Sequence, residues 1–266
     1  MQQGDDLSEI LTNVAADARP ATRVKIANSA ETRAFLDIGL QLLRDDLLDH
    51  RGPDLLDEHD AGTRLFAGLS QARLIERAAE AAEQEERPAM LTVGMFRDRW
   101  RYKSRYTEDL IAYIMRPSRY GETMTMLRAA ALTLPEDMRF PDLARYVAEA
   151  VMQATMRDPQ WSLQTIMWVA LPNHPRVQVF LKARYEQWIA AWAETYELLG
   201  RRYDLELRPG VTWLDVAEMF NAVTEGARIR GMAMGTVASL STGDNVVVGS
   251  IRAMMPSLFV DTGKLG

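Results

Sequence analysis

Cysteine is absent from the 266 residues of this chain, and histidine occurs only three times. The first absence excludes disulfides, thiolate metal sites and a cysteine nucleophile, and it fits a cytoplasmic setting. The second leaves histidine chemistry little to work with. His50, His59 and His174 are far apart; two lie in acidic loop sequence, and the third follows Pro172-Asn173 and reads as a helix-start residue. No apolar run approaches the ~18–20 residues of a membrane span, because charges or glycine interrupt every candidate. The first twenty residues, MQQGDDLSEILTNVAADARP, place acids where a secretory signal needs bases and have no apolar centre. Enzyme motifs are missing as well: there is no His-Glu-x-x-His, no Glu-x-x-His pair, no phosphate loop and no Gly-x-Ser-x-Gly elbow. No metal, no cofactor and no enzymatic activity is expected. Alternating strand patterns are nearly absent, and the best one, Val246-Val247-Val248, reads as helix.

What is present is an ordinary globular composition, 47% hydrophobic and 26% charged. Acids outnumber bases 37 to 31, giving a net charge of −6, which argues against a protein that coats nucleic acid with its whole surface. One segment runs against this trend. Between Thr92 and Leu110, in TVGMFRDRWRYKSRYTEDL, the nine residues 97–105 set Arg97, Arg99, Arg101, Lys103 and Arg105 against the single acid Asp98, with Phe96, Trp100, Tyr102 and Tyr106 interleaved. Local positive charge anchored by aromatics suits a polyanion reached by a short rigid element; the plainer reading is a solvated basic helix face.

Apolar residues recur at helical spacing almost everywhere, predicting an all-α fold of about nine or ten helices. Phe35, Ile38, Leu42 and Leu43 mark one helix, with Ser29 as its N-cap; Leu74, Ile75, Ala78, Ala79 and Ala82 mark another. After Pro117 the spacing returns at Leu143 to Met152, Val177 to Trp192 and Val216 to Ala227. A domain boundary is expected at Arg116-Pro117. Residues 1–28 read as an appendage, with one short helix through Leu7, Ile10, Leu11 and Val14 and then an arm carrying Arg19, Arg23 and Lys25. The stretch HRGPDLLDEHDAG reads as an acidic loop.

Three short helices near 29–50, 69–82 and 91–101, followed by one from Thr107, suggest a helix-turn-helix module. Thr92-x-Gly94-x-Phe96-Arg97-x-Arg99-Trp100 followed by Thr107-Glu108-Asp109-Leu110 resembles the recognition-helix signature of the tetracycline-repressor (TetR) family. Arg73-Leu74-Ile75-x-x-Ala78-Ala79 looks like that family's second helix, and Thr32 to Leu43 like its first. LRPGVTWLDVAEMFNAVTEGARIRGMA and GSIRAMMPSLF are similar to its last two long helices, which form the dimer interface. The resemblance implies a DNA-binding domain at 29–117 and a helical ligand-binding and dimerisation domain at 118–266. The chain departs from the family where EQEERPAML, from Glu83 to Leu91, lengthens the turn before the recognition helix.

On this reading Thr92 caps the recognition helix and turns backbone N–H groups toward a phosphate, while Gly94 permits close backbone approach. Phe96 and Trp100 pack on Ile75 and Ala79. Arg97 and Arg101 share a face beside that of Phe96 and Trp100, and Arg97 reads a guanine edge; Arg99, Lys103 and Arg105 clamp phosphates. Tyr102 and Tyr106 either bond phosphates or pack with their hydroxyls in water. The arm at Arg19 enters a minor groove or is a basic tail. In the C-terminal half, Trp161, Met167, Trp168, Trp188, Trp192 and Met219 are candidate pocket residues, core packing being the plainer alternative. Ala227, Gly231, Ala233, Gly235, Gly249 and Ala253 would allow close helix approach at a two-fold interface. The expectation is a homodimeric, cytoplasmic, ligand-responsive transcriptional regulator, a repressor by analogy. Its partners would be double-stranded DNA, a small-molecule effector and a second copy of itself, and no membrane. The alternative is a dimeric helical module that binds a protein or small molecule and has lost DNA binding.

Overall fold

The computed structural model describes residues 5–48, 65–84, 91–116, 118–135 and 137–260. Among them are eleven α-helices and a single 3-10 turn, Leu7–Glu9. The helices are α1 (Pro20–Ala27), α2 (Ala30–Leu47), α3 (Gln71–Gln84), α4 (Val93–Trp100), α5 (Lys103–Met115) and α6 (Ser118–Leu132). They continue with α7 (Phe140–Arg157), α8 (Pro159–Ala170), α9 (Pro175–Arg202), α10 (Trp213–Met234) and α11 (Val246–Leu258). No strand forms among the described residues, only the isolated bridges Leu207 to Phe259 and Ser239 to Asn245. The fold is all-α, and Val246–Val248 begins a helix as the sequence suggests. No helix among the described residues is long and apolar enough to cross a membrane. The acidic loop with His50 and His59 lies outside the described residues, as do residues 85–90 of the lengthened turn.

The chain divides into two compact units. The first is Met1–Arg116 with Leu163–Phe180, the second Pro117–Ser162 with Leu181–Gly266. The stretch from 118 onward is therefore not one continuous domain, since residues 163–180 group with the first unit.

In the first unit α2 packs on α1, α3 and α5, while α4 packs on α3 and α5. Ser29 and Thr92 act as N-caps: their hydroxyls accept from Thr32 N–H and from Met95 N–H at 3.2 Å. The centre is aromatic. Phe35, Phe96, Trp100 and Tyr106 meet with ring centres 5.0–5.8 Å apart. Burial places Leu74, Ala78 and Ala82 of α3 inward, not the expected Ile75 and Ala79, because the helix is phased one residue earlier.

Residues 5–28 are no appendage. Leu7, Leu11 and Val14 are fully buried, Asn13 bonds Asp109 through its N–H and its amide, and Ala15 N–H donates to the Arg99 carbonyl at 2.6 Å. Only Leu7–Glu9 is helical in the stretch expected as one helix. The basic arm is α1, where Arg23 donates to the Leu11 carbonyl at 3.0 Å.

In the second unit α7, α10 and α11 pack on one another, and α6 lies on α7. Thr212 and Asp215 close a reciprocal capping box at the start of α10. Several small residues expected at a two-fold interface serve the chain itself. Ala227 and Gly231 are buried, a Cβ on Gly231 would meet Met156 at 3.0 Å, and one on Gly249 would meet Leu240 at 2.2 Å. Gly235 ends α10 at a φ of +71°.

Candidate functional site

The basic segment folds into the end of one helix and the beginning of the next. Phe96 and Trp100, four residues apart, anchor α4 to the aromatic centre, which turns Arg97 and Asp98 to solvent. Gly94 is exposed, and a Cβ there would meet only the Thr92 hydroxyl, at 3.8 Å. Nothing inside the protein requires glycine at this position.

The helix stops at Trp100. Arg101 then takes a φ of +52° and a ψ of −44°, and Tyr102 N–H donates back to the Trp100 carbonyl. This is a γ-turn, a strained conformation for a residue with a Cβ. Arg101 is exposed and off the helix, so it does not share a helical face with Arg97. Tyr102 is exposed, with the Arg101 and Arg105 guanidinium carbons 5.4 and 5.8 Å from its ring centre.

The expected phosphate clamps differ among themselves. Lys103 is exposed and donates to the Ala67 carbonyl at 3.2 Å, while Arg105 faces Asp17 at 3.6 Å. Arg99 is no clamp. Its side chain is 11% exposed and donates to Thr32 at 3.0 Å, the Met95 carbonyl at 3.1 Å, Ser29 at 3.3 Å and Glu31 at 3.2 Å. Lying three residues after Phe96, it falls on the inward side and ties α4 to the start of α2. Tyr106 also faces inward; it is fully buried and donates to the Phe35 carbonyl at 2.7 Å.

α5 starts at Lys103, not Thr107, because the γ-turn leaves Tyr102 extended as its N-cap. Asp109 therefore sits inside the helix. Its carboxylate is fully buried and accepts from Trp100 Nε1 at 3.0 Å and from Asn13 N–H at 3.1 Å, with Arg176 at 3.4 Å. Burial raises its pKa above the usual aspartate value, although the Asn13 and Trp100 bonds and the Arg176 charge oppose the rise.

The second unit holds a cavity. It offers about 70 Å³ to the centres of water-sized molecules, several times the ~10–15 Å³ that one water needs. Trp161, Trp188 and Trp192 line it as expected, joined by Tyr196 and Phe220 in a continuous aromatic wall. Successive ring centres there lie 5.2, 6.2, 5.3 and 5.4 Å apart. Met167, Trp168 and Met219 do not line it. Met167 and Trp168 belong to the first unit, and Met219, one residue before inward-facing Phe220, is exposed.

Three charged residues that sequence reading passed over also line the cavity: Arg184, Glu225 and Arg228. Their positions carried a signal, since Arg184 leads the stripe Trp188-Trp192 and Arg228 is eight residues beyond Phe220. Among the described residues no three His, Asp or Glu side chains gather as metal ligands, and His174 meets Glu108 at 3.0 Å. Compared with protein-family models, with curated proteins and with solved structures, the chain matches none.

Proposed function

We propose that the chain is a homodimeric, ligand-responsive, DNA-binding transcriptional regulator of the tetracycline-repressor kind. The observation that carries this reading is the outer surface of α4 and its γ-turn. A short, capped helix braced by four packed aromatic rings turns Arg97 outward. Next to it is a glycine that the interior does not need. Arg101 occupies a strained position where glycine would be the easier residue, and it keeps a cation on this surface. Exposed Tyr102 and Lys103 extend the same surface. Arg97 would read a base edge, and Arg101 and Lys103 would hold phosphates.

The cavity supports the ligand-responsive half of the proposal, because it is roomy, walled by aromatics and built among helices. An effector that lowers DNA affinity must itself bind the DNA complex more weakly, by the same factor.

One observation favours the alternative, a helical binding module without DNA binding: Arg99 is spent on internal bonds and Arg105 faces Asp17. Titrating the protein against labelled duplex from upstream of its own coding sequence, at two salt concentrations and with scrambled competitor, separates the two. The regulator reading expects tight, competitor-resistant binding that weakens steeply with salt. If binding to genomic and scrambled duplexes is equal, the alternative stands.

A further inference from the structure

We infer that the cavity in the second unit takes a small, uncharged phenol, an aromatic ring whose hydroxyl is held by Tyr196 and Asn221. This inference rests on the proposal that the cavity receives an effector, and it names the effector's chemistry.

The charged groups of the lining are engaged with the protein itself. Arg184 lays its guanidinium over the Trp161 ring, 4.4 Å from its carbon to the ring centre. Arg228 donates to the Trp161 carbonyl at 3.4 Å and stands 3.9 Å from Glu225, which accepts from the Tyr185 hydroxyl. The hydroxyls of Thr155 and Thr224 are also in use, each donating at 2.8 Å to the carbonyl four residues earlier. An ionic ligand would give up its hydration for a space whose charged groups already have partners, which is costly.

Two polar side chains of the lining differ. Neither the Tyr196 hydroxyl nor the Asn221 carboxamide makes a hydrogen bond among the described residues. The Tyr196 ring is stacked on Trp192 at 5.3 Å and meets Phe220 edge-on at 5.4 Å, so its hydroxyl cannot swing to another partner. Burial raises its pKa above the usual tyrosine value, which keeps the proton on the oxygen. Asn221 directly follows Phe220 within α10, where helix propensity alone does not favour asparagine. Both groups can donate and accept, and a ligand hydroxyl can do the same; a carbonyl would leave one of their acceptors unmet. A phenol, with a pKa of about 10, brings that hydroxyl uncharged at neutral pH. Trp188, Trp192 and Phe220 offer its ring flat apolar walls. A space several waters in size fits one substituted ring better than a fused polycycle.

Isothermal titration calorimetry on the full-length protein compares p-cresol with p-xylene, in which a methyl group replaces the hydroxyl. It also compares p-cresol with p-toluate and 4-methylbenzylammonium, which carry a charge instead. p-Cresol should bind about fivefold or more tightly than p-xylene, the equivalent of one hydrogen bond. It should exceed either ion by about tenfold or more. Tyr196→Phe and Asn221→Leu should each remove most of the preference over p-xylene. The wild-type ratios need no variant, so an unstable variant does not weaken the test. p-Xylene binding as tightly as p-cresol, an ion binding more tightly, no binding by any of the four, or a preference surviving both substitutions would overturn the assignment. DNA affinity measured on the same samples keeps the two claims apart. A p-cresol that binds with the expected preference and leaves DNA affinity unchanged supports the cavity assignment and counts against the regulator reading. Intact DNA binding with no preference for p-cresol does the reverse.

Discussion

Gly39 of α2 faces Tyr106 and Leu110 of α5. A Cβ built there would sit 1.9 Å from the Tyr106 hydroxyl and 3.1 Å from Leu110. Tyr106 cannot easily retreat, because it is fully buried and its hydroxyl donates to the Phe35 carbonyl at 2.7 Å. Gly39→Ala therefore either overpacks the interface, at about 1–3 kcal/mol, or strips a buried hydroxyl of its bond, at about 1–3 kcal/mol. Replacing a helical glycine by alanine returns about 1 kcal/mol. With both penalties partly engaged, a net loss of about 2–4 kcal/mol is expected. Tyr106→Phe alone should cost only about 1 kcal/mol, since one hydrogen bond goes and the ring remains. In the double variant the hydroxyl that Gly39→Ala strikes is gone, so the two losses should not add. Urea unfolding of the four proteins, followed by far-ultraviolet circular dichroism, should give a coupling of at least about 1.5 kcal/mol. Strict additivity would mean that Tyr106 does not brace α2 in this way, and the support assigned to α4 would fall with it.

Gly94→Ala should leave stability unchanged or raise it by up to about 0.5–1 kcal/mol, because its Cβ meets nothing inside; the same variant should weaken DNA binding, and unchanged affinity would separate Gly94 from the interface. Arg97→Ala should lower affinity for the cognate site by about 1–3 kcal/mol with a normal melting curve. Arg99→Ala should instead destabilise the fold by about 1–3 kcal/mol by freeing Ser29, Glu31 and Thr32; a stable Arg99→Ala that loses DNA binding would reverse that assignment. Asp109 has a raised pKa in the folded chain, so the folded state holds its proton more tightly than the unfolded state. Its stabilising contribution is full below the ordinary aspartate pKa and is lost as pH rises through the folded value. The stability of wild type minus that of Asp109→Asn, from denaturation at stepped pH, should therefore shrink as pH rises from about 4. A difference that grows would mean that the Asn13, Trp100 and Arg176 contacts outweigh burial.

The helical class was legible because apolar residues recur three and four apart along most of the chain, and the hydroxyls of Ser29 and Thr92 mark two helix starts. Helix phase was harder to read. In α3 the pairs Leu74-Ala78 and Ile75-Ala79 have the same spacing, and only the neighbouring helices select the first as buried. The basic segment could be read as a cluster of cations but not sorted into outward and inward ones. That division depends on the turn at Arg101, whose backbone conformation no residue preference announces. Arg99 looks like any surface cation until α2 is set beside it. The aromatic half of the cavity showed itself as Trp188 and Trp192, whereas Arg184 and Arg228 gain meaning only where α9 and α10 bring them to Trp161. Small residues on α10 and α11 marked close approach correctly, but several of the approaches are within the chain.

The most direct test of the proposal is selection from sheared genomic DNA with the purified full-length protein, carried out in parallel with Arg97→Ala. Sequencing of the bound fragments should recover a two-fold symmetric site, its half-sites about one helical turn or a multiple apart. The Arg97→Ala protein, folded to the same extent, should retain that site poorly. If wild type enriches no sequence over input at low salt, DNA recognition by α4 is contradicted, and the chain is better understood as a helical ligand-binding module.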